Sequence, residues 1–227
     1  FLDDTWVQLR DENDEIISLS SYLEKMPETQ KDIYYISAET RSQALASPHL
    51  EGFKSKNIPI LIMTDAIDQF WLPMIGSFKD KKFTSITQGQ INLDELDDKN
   101  KDKKSDSKEQ KEKQDKEFVE LIAQMKVVLG DQVKDIRLSS KLTDSPVCLV
   151  ADDGDMDIAM EQLMAQRDTN YKGAPRILEI NGGHSLIKNM KSLLSKKDNN
   201  DLVSDAGTLL FEQARLLEGK MPADPAQ

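Results

Sequence analysis

The run from Asp94 to Glu117, DELDDKNKDKKSDSKEQKEKQDKE, restricts this chain more than any other feature. Charges of both signs alternate through it, and Leu96 is its one apolar side chain, so it cannot bury enough surface to join a hydrophobic interior. It divides the chain into three parts: a module at 1–93, a linker at 94–117 and a second module at 118–227. From Ser107 onward Glu and Lys approach helical spacing and lead into the apolar positions Phe118, Leu121, Ile122 and Met125, which predicts that the linker becomes a helix. The charge run itself reads as a solvated face without a binding role.

Before the seam, helix and strand signals alternate. A helix over Ser18–Met26 precedes a strand over Asp32–Ile36. A helix from Thr40 to Lys56 precedes a strand over Pro59–Met63. A helix holding Ile67, Phe70, Trp71 and Ile75 then leads to a strand over Phe83–Ile86. Such alternation predicts a small α/β unit with a mostly parallel sheet. Pro48 and Pro73 are expected to interrupt or kink their helices.

After the seam the pattern is α+β. Val133–Leu138 alternates apolar and charged residues, and Val147–Val150 is an unbroken β-prone run, with Asp144, Ser145 and Pro146 expected to form a tight structural loop between the two strands. A helix is predicted from about Asp155, taken as its N-cap, with Asp157 set against the positive end of the helix dipole. Met156, Met160, Leu163 and Met164 fall on one side of it. Periodicity leaves two readings open: a stripe of buried core, or a polarizable surface suited to varied partners. A strand over Arg176–Ile180 and helices near Ser185–Leu194 and Leu202–Leu217 complete the module.

The 227 residues are 38% hydrophobic and 31% charged, enough apolar content for real cores. No stretch approaches the roughly 18 apolar residues needed to cross a bilayer, and Phe1-Leu2-Asp3-Asp4 is unlike a signal peptide, so a cytoplasmic protein is expected. A net charge of −11 disfavours nucleic acid and anionic membrane as partners and favours protein. Cys148, the single cysteine, sits in a strand-like run and reads as a small buried hydrophobe. Pairing it with His184 as a thiol hydrolase is a weak alternative, because nothing nearby would lower its pKa. Asp153, Asp155 and Asp157 imitate the start of a calcium loop, but Ile158 and Met164 occupy the positions that need glycine and glutamate. No metal, cofactor or catalytic residue is expected in this chain.

Several of these segments together carry a resemblance. SLSSYLEKM, QKDIYYIS, SPHLEGFKSKN, LIMTDAID and FKDKKFTSI resemble the small α/β subdomain that ends the middle domain of the heat-shock protein 90 chaperone family. VVLGDQVKDIRLSSKLTDSPVCLVADDGDMDIAMEQLM and RILEINGGHSLIKNM resemble the family's C-terminal dimerisation domain, most closely in the bacterial form, high-temperature protein G. The likeness runs from about Ser18 to about Pro225. Two departures stand out. Gly182 and Ser185 replace expected prolines after Asn181, which predicts a looser turn. Family members also carry one more amphipathic helix beyond the position of Gln227, and its lack is expected to weaken pairing.

The resemblance implies a fragment of an ATP-dependent chaperone. Family members bind ATP and Mg in an N-terminal domain, with a catalytic arginine in the larger part of the middle domain, so no ATPase activity is expected of this chain by itself. It implies that Met156, Met160, Leu163 and Met164 contribute to holding unfolded or partly folded clients, and that Gln69, Phe70 and Trp71 form a second client-contacting patch. Leu202, Leu209, Leu210, Leu216 and Leu217 would contribute to a homodimer interface, and co-chaperones are further possible partners. A purely structural dimerisation or linker module without client contact is the alternative from another class.

Overall fold

The computed structural model describes residues 9–10, 15–93, 104–167, 173–194 and 199–220, with backbone alone for 9–10 and 104–114. The linker half at 94–103 and the chain end at 221–227 lie outside the described residues.

The first module is an α/β unit. Two-residue strands β1 (Leu9–Arg10) and β2 (Ile16–Ile17) precede α1 (Leu19–Lys25), which starts where Ser18 Oγ accepts the amide of Ser21. Strand β3 (Ile33–Ser37) follows. Next come α2 (Arg41–Ala46), a 3₁₀ turn (Pro48–Leu50) and α3 (Glu51–Ser55), so Pro48 breaks the expected single helix as its missing amide and fixed φ require. Strand β4 (Leu61–Met63) leads to α4 (Asp68–Ile75), and β5 (Ser77–Phe78) pairs with β6 (Lys81–Ser85). Pro73 lies inside α4, which ends two residues later at Ile75 and is capped by Gly76 with φ of 68°.

The sheet order is β2-β1-β4-β3-β6-β5. Strand β3 runs parallel to both β4 and β6, as the alternation predicted, while β1 and β5 add antiparallel edges too short for a sequence signal. Both faces are covered. Ile33, Leu61 and Met63 pack under α1 and α4 with Tyr22 and Leu72, and their neighbours Tyr34, Ile36 and Ile62 pack under α2 and α3 with Ala44 and Phe53.

The second module is α+β. Helix α5 (Lys104–Leu129) takes in the charged segment from Ser107 and buries Phe118, Leu121 and Met125, with Ile122 partly covered. Then come β7 (Val133–Leu138), β8 (Val147–Val150), α6 (Ile158–Arg167), β9 (Arg176–Ile180), α7 (Ser185–Leu194) and α8 (Asn200–Leu217). The strand order is β7-β9-β8, so the loop after β7 does not join neighbouring strands. Strand β9, buried at every position, inserts between them, parallel to β7 and antiparallel to β8. One face of this sheet meets α5, α7 and α8 through Val147, Leu149, Leu178 and Ile180. The other presents Cys148, Val150 and Ile177 with Leu142.

The turn after Asn181 is pinned. Asn181 Oδ1 accepts the Gly183 amide and Asn181 Nδ2 donates to the Ser145 carbonyl, while a Cβ on Gly182 would come 3.1 Å from the Phe118 ring. Glycine at 182 therefore answers a close approach to α5.

The modules join along a polar seam. Gln88 and Ala151 form a parallel bridge, with the amide of Gly89 donating to the Ala151 carbonyl and that of Ala151 to the Thr87 carbonyl. Lys141, fully buried, reaches the Ile86 carbonyl at 3.0 Å. The loop at Asp144 and Ser145 bonds chiefly to the other module: the amides of Thr143, Asp144 and Ser145 and the Ser145 hydroxyl all donate to the Glu51 carboxylate. Burial raises the Glu51 carboxyl, yet the Ser145 hydroxyl and these amides outweigh it and hold the group below its ordinary value.

Candidate functional site

Helix α6 begins at Ile158, and Asp157, two residues past the expected Asp155, is its cap: Asp157 Oδ1 accepts the Ala159 amide at 2.9 Å. Asp155 instead pairs with Lys134 at 3.0 Å. Met156 thus precedes the helix, and its carbonyl accepts a hydrogen bond from Arg176 Nη1. The inward face of α6 belongs to Ile158 and to Glu161, which is nearly fully buried, 2.6 Å from Arg176 and 3.1 Å from Lys220. That ion cluster fixes the helix's rotation. The opposite side turns outward, leaving Met156 and Met164 at 39% and 41% exposure with Met160 and Leu163 half-buried. None of the four belongs to the protein's own core clusters.

The second patch lies on α4. Asp68 is buried, and this raises its carboxyl against the donors Trp71 Nε1, at 2.7 Å, and the Asp65 amide. Trp71 packs edge-on against Phe83 and is half-buried, so it supports the helix more than it faces solvent. Phe70 is 40% exposed and Gln69 half-buried. Two residues absent from the sequence-level candidates join them on the surface: Ile67 and Met74, the latter 85% exposed. Their i, i+3, i+7 spacing with Phe70 was the available signal.

The structure brings one residue of each patch, Gln69 and Leu163, to a common groove, and leaves Phe70, Trp71, Met156, Met160 and Met164 out of its lining. A groove of about 310 Å³ runs between α4 and α6, with Ala66 and Gln69 on one wall and Ala159, Gln162 and Leu163 on the other. Glu39 sits on its floor and accepts from Gln166 Nε2 at 2.7 Å, linking the modules across it.

On α8, Leu202, Leu209, Leu216 and Leu217 are each more than half exposed, and the first three repeat at seven-residue intervals. Leu210 corrects the expectation: it is 4% exposed and packs in the core with Phe211 and Ala214. It falls one residue, about 100° of helix, from Leu209, which turns it off the exposed stripe and into the core.

Cys148 is buried, and burial followed by the Glu179 charge pushes its thiol well above its ordinary pKa. The geometry provides no thiolate for the hydrolase reading. His184 is engaged elsewhere, its Nδ1 accepting the Leu186 amide. The histidine beside Cys148 is His49, which lines the same small cavity. Among the described residues, no group of three or more His, Cys, Asp or Glu side chains is placed to hold a metal ion, and no helix is long and apolar enough to cross a membrane.

A family model described as Hsp90 protein matches residues 7–227. The chain is similar to the chaperone protein HtpG of Roseobacter denitrificans, at 39% identity over 94% of this chain and 34% of that protein. It is 36% identical to the chaperone protein HtpG of Streptomyces coelicolor, over 94% of this chain and 33% of the relative. It is 35% identical to that of Wolbachia pipientis, over 92% and 32%. The chain therefore spans about a third of the length of these relatives. With its α/β module followed by an α+β module, and a family match across nearly all its length, the chain belongs to the heat-shock protein 90 chaperone family.

Proposed function

We propose that this chain is the part of a cytoplasmic, ATP-dependent chaperone that grips unfolded or partly folded proteins and contributes to pairing two copies. The observation carrying the reading is the groove between α4 and α6, lined by Gln69 and Leu163, together with the exposure of Phe70 on α4, Met164 on α6 and Met156 just before it. The exposed Phe70, Met156 and Met164 suit weak, adaptable apolar contact, because methionine side chains adjust shape at low cost. Each side chain fully covered by a client contributes roughly 1.5 to 3 kcal/mol, while ordering a disordered segment costs roughly 2 to 5 kcal/mol, so one patch holds poorly and two adjoining patches hold usefully.

Pairing is assigned to the exposed stripe Leu202, Leu209 and Leu216, with Leu217 beside it; a second copy multiplies grooves and raises effective concentration. ATP, Mg²⁺ and the hydrolytic step belong to other parts of the full-length protein, and the division at 94–117 is proposed as the boundary between its middle and C-terminal domains.

Replacing Met156 and Met160 with Asp tests the grip. The double variant should lose most of its suppression of aggregation of a chemically unfolded protein while its circular dichroism spectrum and its mass by light scattering stay unchanged. Undiminished suppression would leave a structural dimerisation module without a client surface.

A further inference from the structure

Between the modules, next to the groove and sharing Ala38, Glu39 and Gln162 with it, lies a second and smaller cavity of about 70 Å³. Its walls are half apolar, from Ile36, Ala44, Leu149 and Ala214, and half polar. The polar half is unusual because four of its buried side-chain atoms have no hydrogen-bond partner. Ser37 Oγ, His49 Nδ1 and both carboxylate oxygens of Glu218 are buried without a hydrogen bond. Buried polar groups left bare cost folding free energy, and such a concentration at one cavity calls for an occupant.

The chemistry of that occupant follows from what the walls offer. Burial, then the nearby Lys141 charge, holds the His49 pKa well below its ordinary value, so the imidazole is neutral; it bonds to the Leu149 backbone, leaving Nδ1 as an acceptor. The Glu218 carboxylate is acceptor-only when ionised, and the Ser37 hydroxyl can accept. Lys220 and Arg176 offset the Glu218 charge but make no hydrogen bond to its carboxylate, and Arg176 Nε is itself buried without a partner. Lys220 and Arg176 lie against Glu161, and Lys141 bonds the Ile86 carbonyl with Glu179 at 3.9 Å. Asp157 adds negative charge near Glu218, and Glu39 stands at the mouth. A water molecule needs roughly 10 to 15 Å³ measured this way, so the cavity holds either a few waters or one compact ligand of several heavy atoms.

We propose that the cavity is a binding site for a small planar donor-rich cation of the guanidinium class, its N–H groups shared among Glu218, His49 Nδ1 and Ser37 and its faces against Ile36, Leu149 and Ala214. A guanidinium has five or more donors and no acceptor, the complement of these walls.

The chain has only two histidines, so ring NMR signals give a site-resolved readout. Titrating the whole chain at pH 8 with methylguanidinium should shift the His49 ring signals saturably and leave those of His184 in place. Glu218→Gln should weaken binding about tenfold or more and Ser37→Ala several-fold, since charge-assisted hydrogen bonds are the stronger ones. N-methylurea, of the same shape without charge, should bind about tenfold more weakly. Affinity for methylguanidinium should rise with pH through about 7, where Glu218 ionises. A blocked arginine peptide run in parallel separates the sources: binding of both assigns the site to an arginine side chain of a polypeptide, and binding of methylguanidinium alone assigns it to a free small cation. Absence of a saturable His49 shift would mean that the cavity holds water only, and equal binding to the Glu218→Gln chain would mean that the cation is held without the Glu218 carboxylate; either result would overturn the proposal.

Discussion

Replacing Glu218 with Gln should stabilise the protein in a pH-dependent way. The residue ends α8, where its backbone amide closes the last turn and its carbonyl accepts from Gln162 Nε2 at 2.7 Å, while its carboxylate is buried without a donor. Burial raises the group from 4.5 to about 7, with Lys220 and Arg176 opposing and Glu161 and Asp157 adding to the rise. Below pH 4.5 the carboxyl is protonated in folded and unfolded chains alike and has no effect. Between 4.5 and about 7 the unfolded chain ionises while the folded chain keeps its proton, so stability falls as pH rises; above about 7 the loss is complete. At 1.36 kcal/mol per pH unit that interval amounts to about 3 kcal/mol. Glutamine keeps the shape and removes the ionisation. Urea unfolding of both proteins from pH 5 to pH 8 should show the advantage of Glu218→Gln growing by about 2 to 3 kcal/mol and then levelling. His49 works in the opposite direction, since its lowered pKa makes stability rise with pH up to about 6.5, but it is present in both proteins and cancels in the difference. Parallel stability profiles would refute the reasoning, because they would mean that Glu218 ionises in the folded protein as it does in water.

The seam between the modules makes three further predictions. Gly52→Ala places a Cβ 2.5 Å from the Lys141 carbonyl oxygen, a backbone atom with little room to give, and should cost about 1 to 3 kcal/mol by thermal unfolding. Glu51→Gln removes the charge held by the amides of Thr143, Asp144 and Ser145; because the folded pKa lies below the ordinary 4.5, the difference from wild type should be full at neutral pH and shrink as pH falls below 4.5 in urea titrations. Asp157→Ala removes both the α6 cap and the acceptor for the Ser85 and Thr87 hydroxyls, and should cost about 2 to 4 kcal/mol by chemical denaturation, with a larger proportional loss in aggregation suppression than Gly52→Ala shows at equal stability.

Much of the fold was legible because local signals and tertiary packing agree. The mixed apolar and charged run VKDIRL and the buried run VCLV gave β7 and β8 at their observed bounds, and Phe118, Leu121 and Met125 marked the buried stripe of α5. What was not legible depends on contacts distant in sequence. Adjacent strands in sequence are usually neighbours in the sheet, yet β9 displaces that pairing because its five buried residues need cover from both sides. The start of α6 shifted because Asp155 is taken by Lys134, from another strand, leaving Asp157 to cap. The methionine stripe could not be placed from periodicity; its exposure is decided by Glu161, whose partners Arg176 and Lys220 lie 15 and 59 residues downstream. Glutamate among helical polar positions carries no mark of burial, so the residue that orients the methionine-bearing helix was invisible in the sequence.

Asp157 also explains how two patches on separate modules can act as one surface. Its Oδ1 fixes the first turn of α6, and its Oδ2 accepts the hydroxyls of Ser85, at the end of β6, and of Thr87. Strand β6 pairs with β3, and β3 pairs with β4, the strand that leads into α4. A single carboxylate thereby ties the start of the methionine helix to the sheet that carries Gln69 and Phe70, and the backbone bridge at Gln88 and Ala151 runs beside it. The separation of α4 and α6 then depends on the short, charge-assisted hydrogen bonds of Asp157, so a change at Ser85, Thr87 or Asp157 alters it although none of the three lines the groove.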